Sequence, residues 1–197
     1  MLTAKQIPST DCDGWTAPID AKGGYTVRVK VDIDECIGEP WKEHDGHGIV
    51  SEWRSRNSKQ PGEMLLCGDG GHCRFYDFAA TVKIAKRDGW DAQPYGGTAG
   101  ERAHRATLAD FEYLRRWCNG DWGWVVVSVE VSRNGALVAE DCCGGIESEG
   151  DYWREHAAEV ANGSIQYDKA ERAKAGRAKA KETRERQYWA NRDTITV

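Results

Sequence analysis

The stretch EHDGHGIVSEW, residues 43–53, holds the most chemically suggestive spacing in the chain: His44 and His47 lie three apart, with Asp45 and Gly46 between them. Imidazole nitrogens and carboxylate oxygens are donors that zinc and iron accept, and on a helix two histidines at that spacing would share a face. Gly46 and Gly48 argue against a helix, and neither an HExxH pattern nor a second compact ligand pair accompanies them. His72, next to Cys73, completes a metal set only if the fold carries it to His44, Asp45 and His47. The other reading is a glycine-bearing turn in which Asp45 bonds its own backbone and a carboxylate holds a histidine. The first reading implies zinc and a metal-dependent hydrolase acting on a nucleotide or nucleic acid; the second implies no cofactor.

Cysteine chemistry is the next candidate. Cys142-Cys143 precedes Gly144-Gly145, where a thiol can be exposed, and His156 follows. A nucleophilic cysteine needs an electropositive setting, whereas this pair sits among Glu140, Asp141, Glu147, Glu149 and Asp151, which favour the protonated thiol. The seven cysteines include no CxxC pair, so neither a disulfide framework nor a zinc ribbon is expected, and most are expected to be reduced thiols. The paired glycines match no phosphate-binding loop.

Charge is distributed unevenly. Residues 1–167 carry 27 acidic side chains against 18 basic ones, while residues 168–197 carry 5 against 9. Two acidic clusters stand out: Glu140, Asp141, Glu147, Glu149, Asp151, Glu155 and Glu159, and a second between Asp32 and Glu52. Carboxylates spaced on a rigid surface can imitate DNA phosphates and occupy a basic groove; the plainer account is a solvated face that maintains solubility. Nine tryptophans are many for 197 residues. Trp117, Trp122 and Trp124 fall in or beside core elements, whereas Trp41, Trp53 and Trp90 fall near loops, where aromatic rings serve as interface anchors or as covers for loop edges. In the tail, Arg172, Lys174, Arg177, Lys179 and Lys181 can follow a phosphate backbone without reading sequence, or pack on the acidic body of a second copy in a homodimer.

The elements that must position these groups are legible from periodicity. YTVRVKVDID alternates as a half-buried antiparallel strand. Residues 64–76 predict a hairpin with its tip at Gly68–Gly71, after which Asp77 caps a helix that buries Phe78, Val82 and Ile84 or Ala85 and ends at Gly89. Thr98 and Glu101 have capping-box spacing ahead of a helix with a stripe of Leu108, Phe111, Leu114 and Cys118, stopped by Gly120. Two strands joined by Asn134-Gly135 follow, both expected to be central, and then a short helix ending near Gly163 with His156, Val160 and Tyr152 or Trp153 inward. From Asp168 onward a charged helix, polar on all sides, is expected either to project into solvent or to lie on a partner, held at its end by Trp189. The expected architecture is α+β: an antiparallel sheet of about five strands with helices packed on one face, a domain over 1–165 and a basic helical tail over 166–197. No apolar run reaches the roughly 20 residues that span a bilayer, and the opening MLTAKQIPST shows no secretory pattern, so a cytoplasmic, membrane-free protein is expected.

HDGHGIVSEW, PGEMLLC, FYDFAATVKIAKRDGWD, TAGERAHRATLADFEYLRRWCN and GGIESEGDYWREHAAEV, in that order, resemble a family of uncharacterised bacteriophage and prophage proteins. In that family a Trp-Gly-Ile-Glu-Ser segment precedes several acids and a tyrosine; here Gly145, Ile146, Glu147, Ser148 and Tyr152 match, and Gly144 stands where tryptophan is common. The resemblance covers roughly residues 40–160 and supplies an origin rather than a mechanism. It implies a phage accessory protein in the host cytoplasm that binds and inhibits a host protein. A nuclease or immune effector is the expected target, in a counter-defence (anti-CRISPR or anti-restriction) role. Glu140, Asp141, Glu147, Glu149, Asp151, Glu155, Trp41 and Trp53 are the expected contact residues.

Overall fold

A computed structural model describes residues 1–8, 14–90 and 96–193. Cys12 and Asp91 lie outside the described residues. The class is α+β with antiparallel sheets, and the strands divide between two sheets, one in each of two compact units. The first unit comprises residues 1–33, 125–146 and 150–197, and the second residues 34–124 and 147–149.

In the first unit, β1 (Ile19–Ala21), β2 (Tyr25–Ile33), β6 (Trp124–Arg133) and β7 (Ala136–Glu147) form a sheet in the order β1-β2-β6-β7. The alternation of YTVRVKVDI holds as far as Val31: Tyr25, Val27, Val29 and Val31 are buried while Ile33, at the strand's end, is exposed, and Val27 pairs with Val131 and Val29 with Val129 on β6. Asn134 and Gly135 both take positive φ, 49° and 81°, the requirement of a tight type I′ turn. β7 lies at the sheet edge instead of in its centre, and from Glu140 to Gly144 it is exposed.

Helix α4 (Tyr152–Asp193) packs Trp153, Ala157, Ala158, Ala161 and Ile165 against the buried valines. Trp153, and not Tyr152, faces the core. The helix does not stop at Gly163. A glycine inside a helix costs only about 1 kcal/mol relative to alanine, and burial of Ile165 just beyond it offsets that by about 1.5–3 kcal/mol. Asn162 exchanges two 2.8 Å hydrogen bonds with the backbone of Leu2, and the Tyr25 hydroxyl donates to Asp168 at 2.6 Å. Past Asp168 every described side chain is exposed, with Lys169 reaching back over the Tyr25 ring. Trp189 is half exposed and touches Tyr188 and Arg192. With every described side chain past Asp168 exposed, the tail has the projecting form, one of the two expected. No described helix is long and apolar enough to cross a membrane.

In the second unit, β3 (Arg54–Ser55), β5 (His72–Asp77) and β4 (Glu63–Asp69) form a sheet in the order β3-β5-β4. Asp77 caps α2 (Phe78–Asp88) by accepting from Ala80 N–H, and Gly89 closes it at φ 72°. The full Thr98/Glu101 capping box opens α3 (Ala99–Cys118). The buried residues of α2 are Thr81 and Ala85, and those of α3 are Ala103, Ala106, Thr107, Phe111 and Leu114. Of the expected stripe of α3, Phe111 and Leu114 are buried and Cys118 is partly buried, while Leu108 is 40 % exposed. Small side chains let helices approach closely, which makes alanine and threonine, rather than leucine, the packing residues of this pair.

Candidate functional site

The residues around His47 are gathered by α3, β5 and the segment after α1 (Pro40–Glu43). His44 closes α1 in extended conformation, and Gly46 at φ 95° turns the chain. The segment then runs beside β5: Ser51 N–H donates to Phe75 O, Asp77 N–H donates to Ile49 O (both 2.8 Å), and Ile49 N–H donates to Thr81 Oγ1 at 3.1 Å. This places Gly48 directly against Tyr76 and Thr81.

Asp110, on the inward side of α3, holds the turn. Its Oδ1 lies 2.7 Å from His47 Nδ1, and its Oδ2 accepts from Gly48 N–H at 2.8 Å and from the Tyr76 hydroxyl at 2.6 Å. A carboxylate accepts only, so it selects the tautomer with the proton on Nδ1 and leaves the Nε2 lone pair free of any hydrogen bond among the described residues. The His47 ring stacks on Tyr113, centroids 5.6 Å apart and 12° from parallel. Tyr113 donates to Glu147 at 2.8 Å and packs on Trp122, which packs edge-on against Trp124, and His44 leans on Trp124 at 5.0 Å. Both histidines of the opening motif thus sit along one chain of aromatic rings. An imidazole oriented by a carboxylate is the arrangement of a general base, yet no hydroxyl or thiol among the described residues bonds to its free nitrogen. What the geometry performs is a clamp, three donors on one carboxylate that fasten a loop and a strand to a helix.

These contacts engage the histidines of the metal reading with other partners. His47 spends Nδ1 on Asp110, His44 lies on an indole, and His72 is exposed at the hairpin tip, opposite Asp69 and Ser55. Among the described residues no group of three or more His, Cys, Asp or Glu is placed so that it could hold a metal ion, and His44, Asp45, His47 and His72 are not brought together as such a group. Asp110 was the missing partner. The signal for it was available: an aspartate three residues after Thr107 and four before Leu114 falls on the buried side of α3, where a carboxylate must find donors.

Burial and the bond to Asp110 push the Tyr76 hydroxyl well above its ordinary pKa; burial and Glu147 do the same for Tyr113, and the bond to Asp168 raises Tyr25. In the unfolded chain tyrosine ionises near pH ~10. Because the folded values are higher, the stability these protons contribute is intact below that pH and is lost as pH rises through the folded values. Alkaline titration at 295 nm is expected to show a late tyrosinate step coincident with loss of near-ultraviolet dichroism. A single early step, with the fold intact, contradicts it.

The acidic residues separate into matched and unmatched groups. Glu39 and Glu52 pair with Arg74 and Lys42, Glu149 with Arg116, and Asp151 with Arg154, while Glu147 accepts from Tyr113. Glu140 and Asp141 on β7, and Glu155 and Glu159 on α4, are exposed and make no ion pair among the described residues. Trp41 and Trp53 are engaged within the chain, since the buried Arg74 guanidinium lies 5.4 Å and 5.2 Å from their ring centroids. Arg172, Lys174, Arg177, Lys179 and Lys181 are exposed along α4, with Lys174 and Lys181 paired to Glu171 and Glu185. Comparison with protein-family models, curated proteins and solved structures finds no match to the chain.

Proposed function

We propose that the protein acts by binding, with the acidic edge of its four-stranded sheet placed in the basic groove of a nucleic-acid-handling host protein. The observation that carries this reading is the contrast among its carboxylates. Within the same acidic stretch Glu147, Glu149 and Asp151 are met by Tyr113, Arg116 and Arg154, whereas Glu140 and Asp141 on β7 and Glu155 and Glu159 on α4 are exposed and make no ion pair among the described residues. An edge strand also offers unpaired backbone groups beside those charges. Carboxylates fixed by secondary structure can replace phosphates and release a groove's counterions as DNA does. The resemblance to phage proteins supports a host target, a nuclease or immune effector, and a counter-defence role. Trp41, Trp53, Glu147, Glu149 and Asp151 are not part of this proposed edge, because each has a partner within the chain.

Displacement from DNA tests it. Host lysate is bound to immobilised duplex DNA and challenged with the protein. Wild type is expected to release at least one DNA-bound host protein. The folded quadruple variant Glu140→Gln/Asp141→Asn/Glu155→Gln/Glu159→Gln is expected to need at least tenfold more protein for the same release. Equal release by both, or release by neither, overturns the proposal.

A further inference from the structure

Within the first unit, β7 and α4 leave a groove between them. β7 lines it with Val138, Ala139 and Asp141, and α4 with Val160, Gly163, Ser164 and Tyr167. Past Asp141 and Val160 the groove continues to Cys142, Cys143 and His156, with Val127 of β6 in its lining. Positions 156, 160, 163 and 167 are three or four apart, so they form one stripe of the helix, beside the stripe of Trp153, Ala157 and Ala161 that enters the core. Gly163 leaves the helix wall bare, since a Cβ there would meet nothing within 4 Å. His156 Nε2 is buried with no hydrogen-bond partner among the described residues, a state that folded proteins seldom leave uncompensated. The strand wall is open as well: β7 ends the sheet, and residues 140–144 are exposed. No lysine or arginine lines the groove, while Asp141 lies in it, Glu140 adjoins it, and Glu155 and Glu159 directly precede His156 and Val160 on α4. Valine walls beside an unpaired carboxylate suit a side chain with an aliphatic stem and a cationic head.

Resting on the reading of β7 as the contact edge, we propose that this groove binds an extended, basic segment of the partner protein, which adds to β7 as a fifth strand and seats an arginine or lysine side chain between β7 and α4. Backbone groups of β7 that have no neighbour strand supply the ladder, and pockets for alternate side chains supply the selectivity. The stem of the seated side chain covers Val138 and Val160 and passes the bare backbone at Gly163, and its cation meets Asp141. The next bases of the segment reach Glu140, Glu155 and Glu159 around the opening. The partner's chemistry is thereby narrowed from a basic groove to a basic strand.

The probe is a fluorescent octapeptide alternating arginine and threonine, with a glutamate–threonine octapeptide as its control. Full-length wild type is expected to bind the arginine peptide roughly tenfold more tightly than the control. Bound peptide is expected to slow amide exchange over residues 140–144 and alkylation of Cys142 and Cys143, while Cys36, exposed on the second unit, reacts as before. Gly163→Leu installs a better helix former, keeps every carboxylate and fills the groove, so it is expected to fold and to bind the arginine peptide roughly tenfold more weakly than wild type. Absence of the preference for arginine, equal affinity in wild type and Gly163→Leu, or exchange and alkylation unchanged by bound peptide overturns the proposal. So does a dimer in light scattering that the peptide dissociates, because the basic tail of a second copy is then the occupant. The DNA-displacement assay separates this inference from the reading it rests on. Release by Gly163→Leu equal to that by wild type overturns the groove and leaves the acidic edge standing, whereas failure of the edge shows as equal release by the quadruple variant.

Discussion

Gly48→Ala is expected to lower the unfolding free energy by about 3 kcal/mol or more, as overpacking at a rigid site does. A Cβ at this position would overlap the Tyr76 hydroxyl and lie 2.6 Å from Thr81 Cγ2. Neither neighbour can retreat. The Tyr76 oxygen is held by Asp110, and Thr81 is bonded through Oγ1 to Asp77 O at 2.7 Å and to Ile49 N. Gly46→Ala is the informative control two residues away: its Cβ meets nothing within 4 Å, and only the positive φ of 95° is strained, for a cost of about 1 kcal/mol. Urea unfolding followed by tryptophan fluorescence measures both. Similar midpoints for the two variants would show that the close approach at Gly48 is not what the alanine disrupts.

Asp110→Ala is expected to cost about 3–5 kcal/mol, because one truncation takes the carboxylate from three donors, two of them in Gly48 and Tyr76, which are buried, and leaves Tyr76 only the long 3.5 Å contact with Thr107 O. Asp110→Asn retains one carbonyl oxygen and is expected to fall between alanine and wild type. The effects of Asp110→Ala and Gly48→Ala are expected to sum to less than their separate values, since both release the same loop from the same helix. Nitrogen chemical shifts of His47 supply a second readout: removal of the carboxylate is expected to shift the neutral ring from the Nδ1–H tautomer toward the Nε2–H form. An unchanged tautomer together with a loss under about 1 kcal/mol, the scale of an ordinary hydrogen bond, would show that the carboxylate does not hold the histidine.

Much of this site was legible before the structure, and the part that was not has a definite cause. Alternation from Tyr25 to Val31, the capping box at Thr98, the cap at Asp77 and the Asn134-Gly135 turn are local signals, and each matches the structure. Gly46 and Gly48 correctly indicated a turn, and a carboxylate does hold a histidine. The identity of that carboxylate depended on which side of α3 is buried. Phe111 and Leu114 marked that side, but the donors that meet Asp110 there, on Tyr76 and Gly48, lie 34 and 62 residues away in the chain. The division of strands between two sheets, and the edge position of β7, follow from long-range pairing that periodicity does not encode. Gly163 misled for the opposite reason, since a local helix breaker was outweighed by the burial of Ile165.

The continuity of α4 has a mechanical consequence. At 1.5 Å per residue, a helix of 42 residues is about 63 Å long, and only its first third is gripped by the valine core. The remainder is a cantilever whose free end carries Tyr188 and Trp189. A force or ligand applied there meets no loop in which the chain can swivel. Its torque is delivered through unbroken backbone hydrogen bonds to Ile165, Ala161 and Trp153, so events at the far end of the rod bear directly on the packing of the sheet.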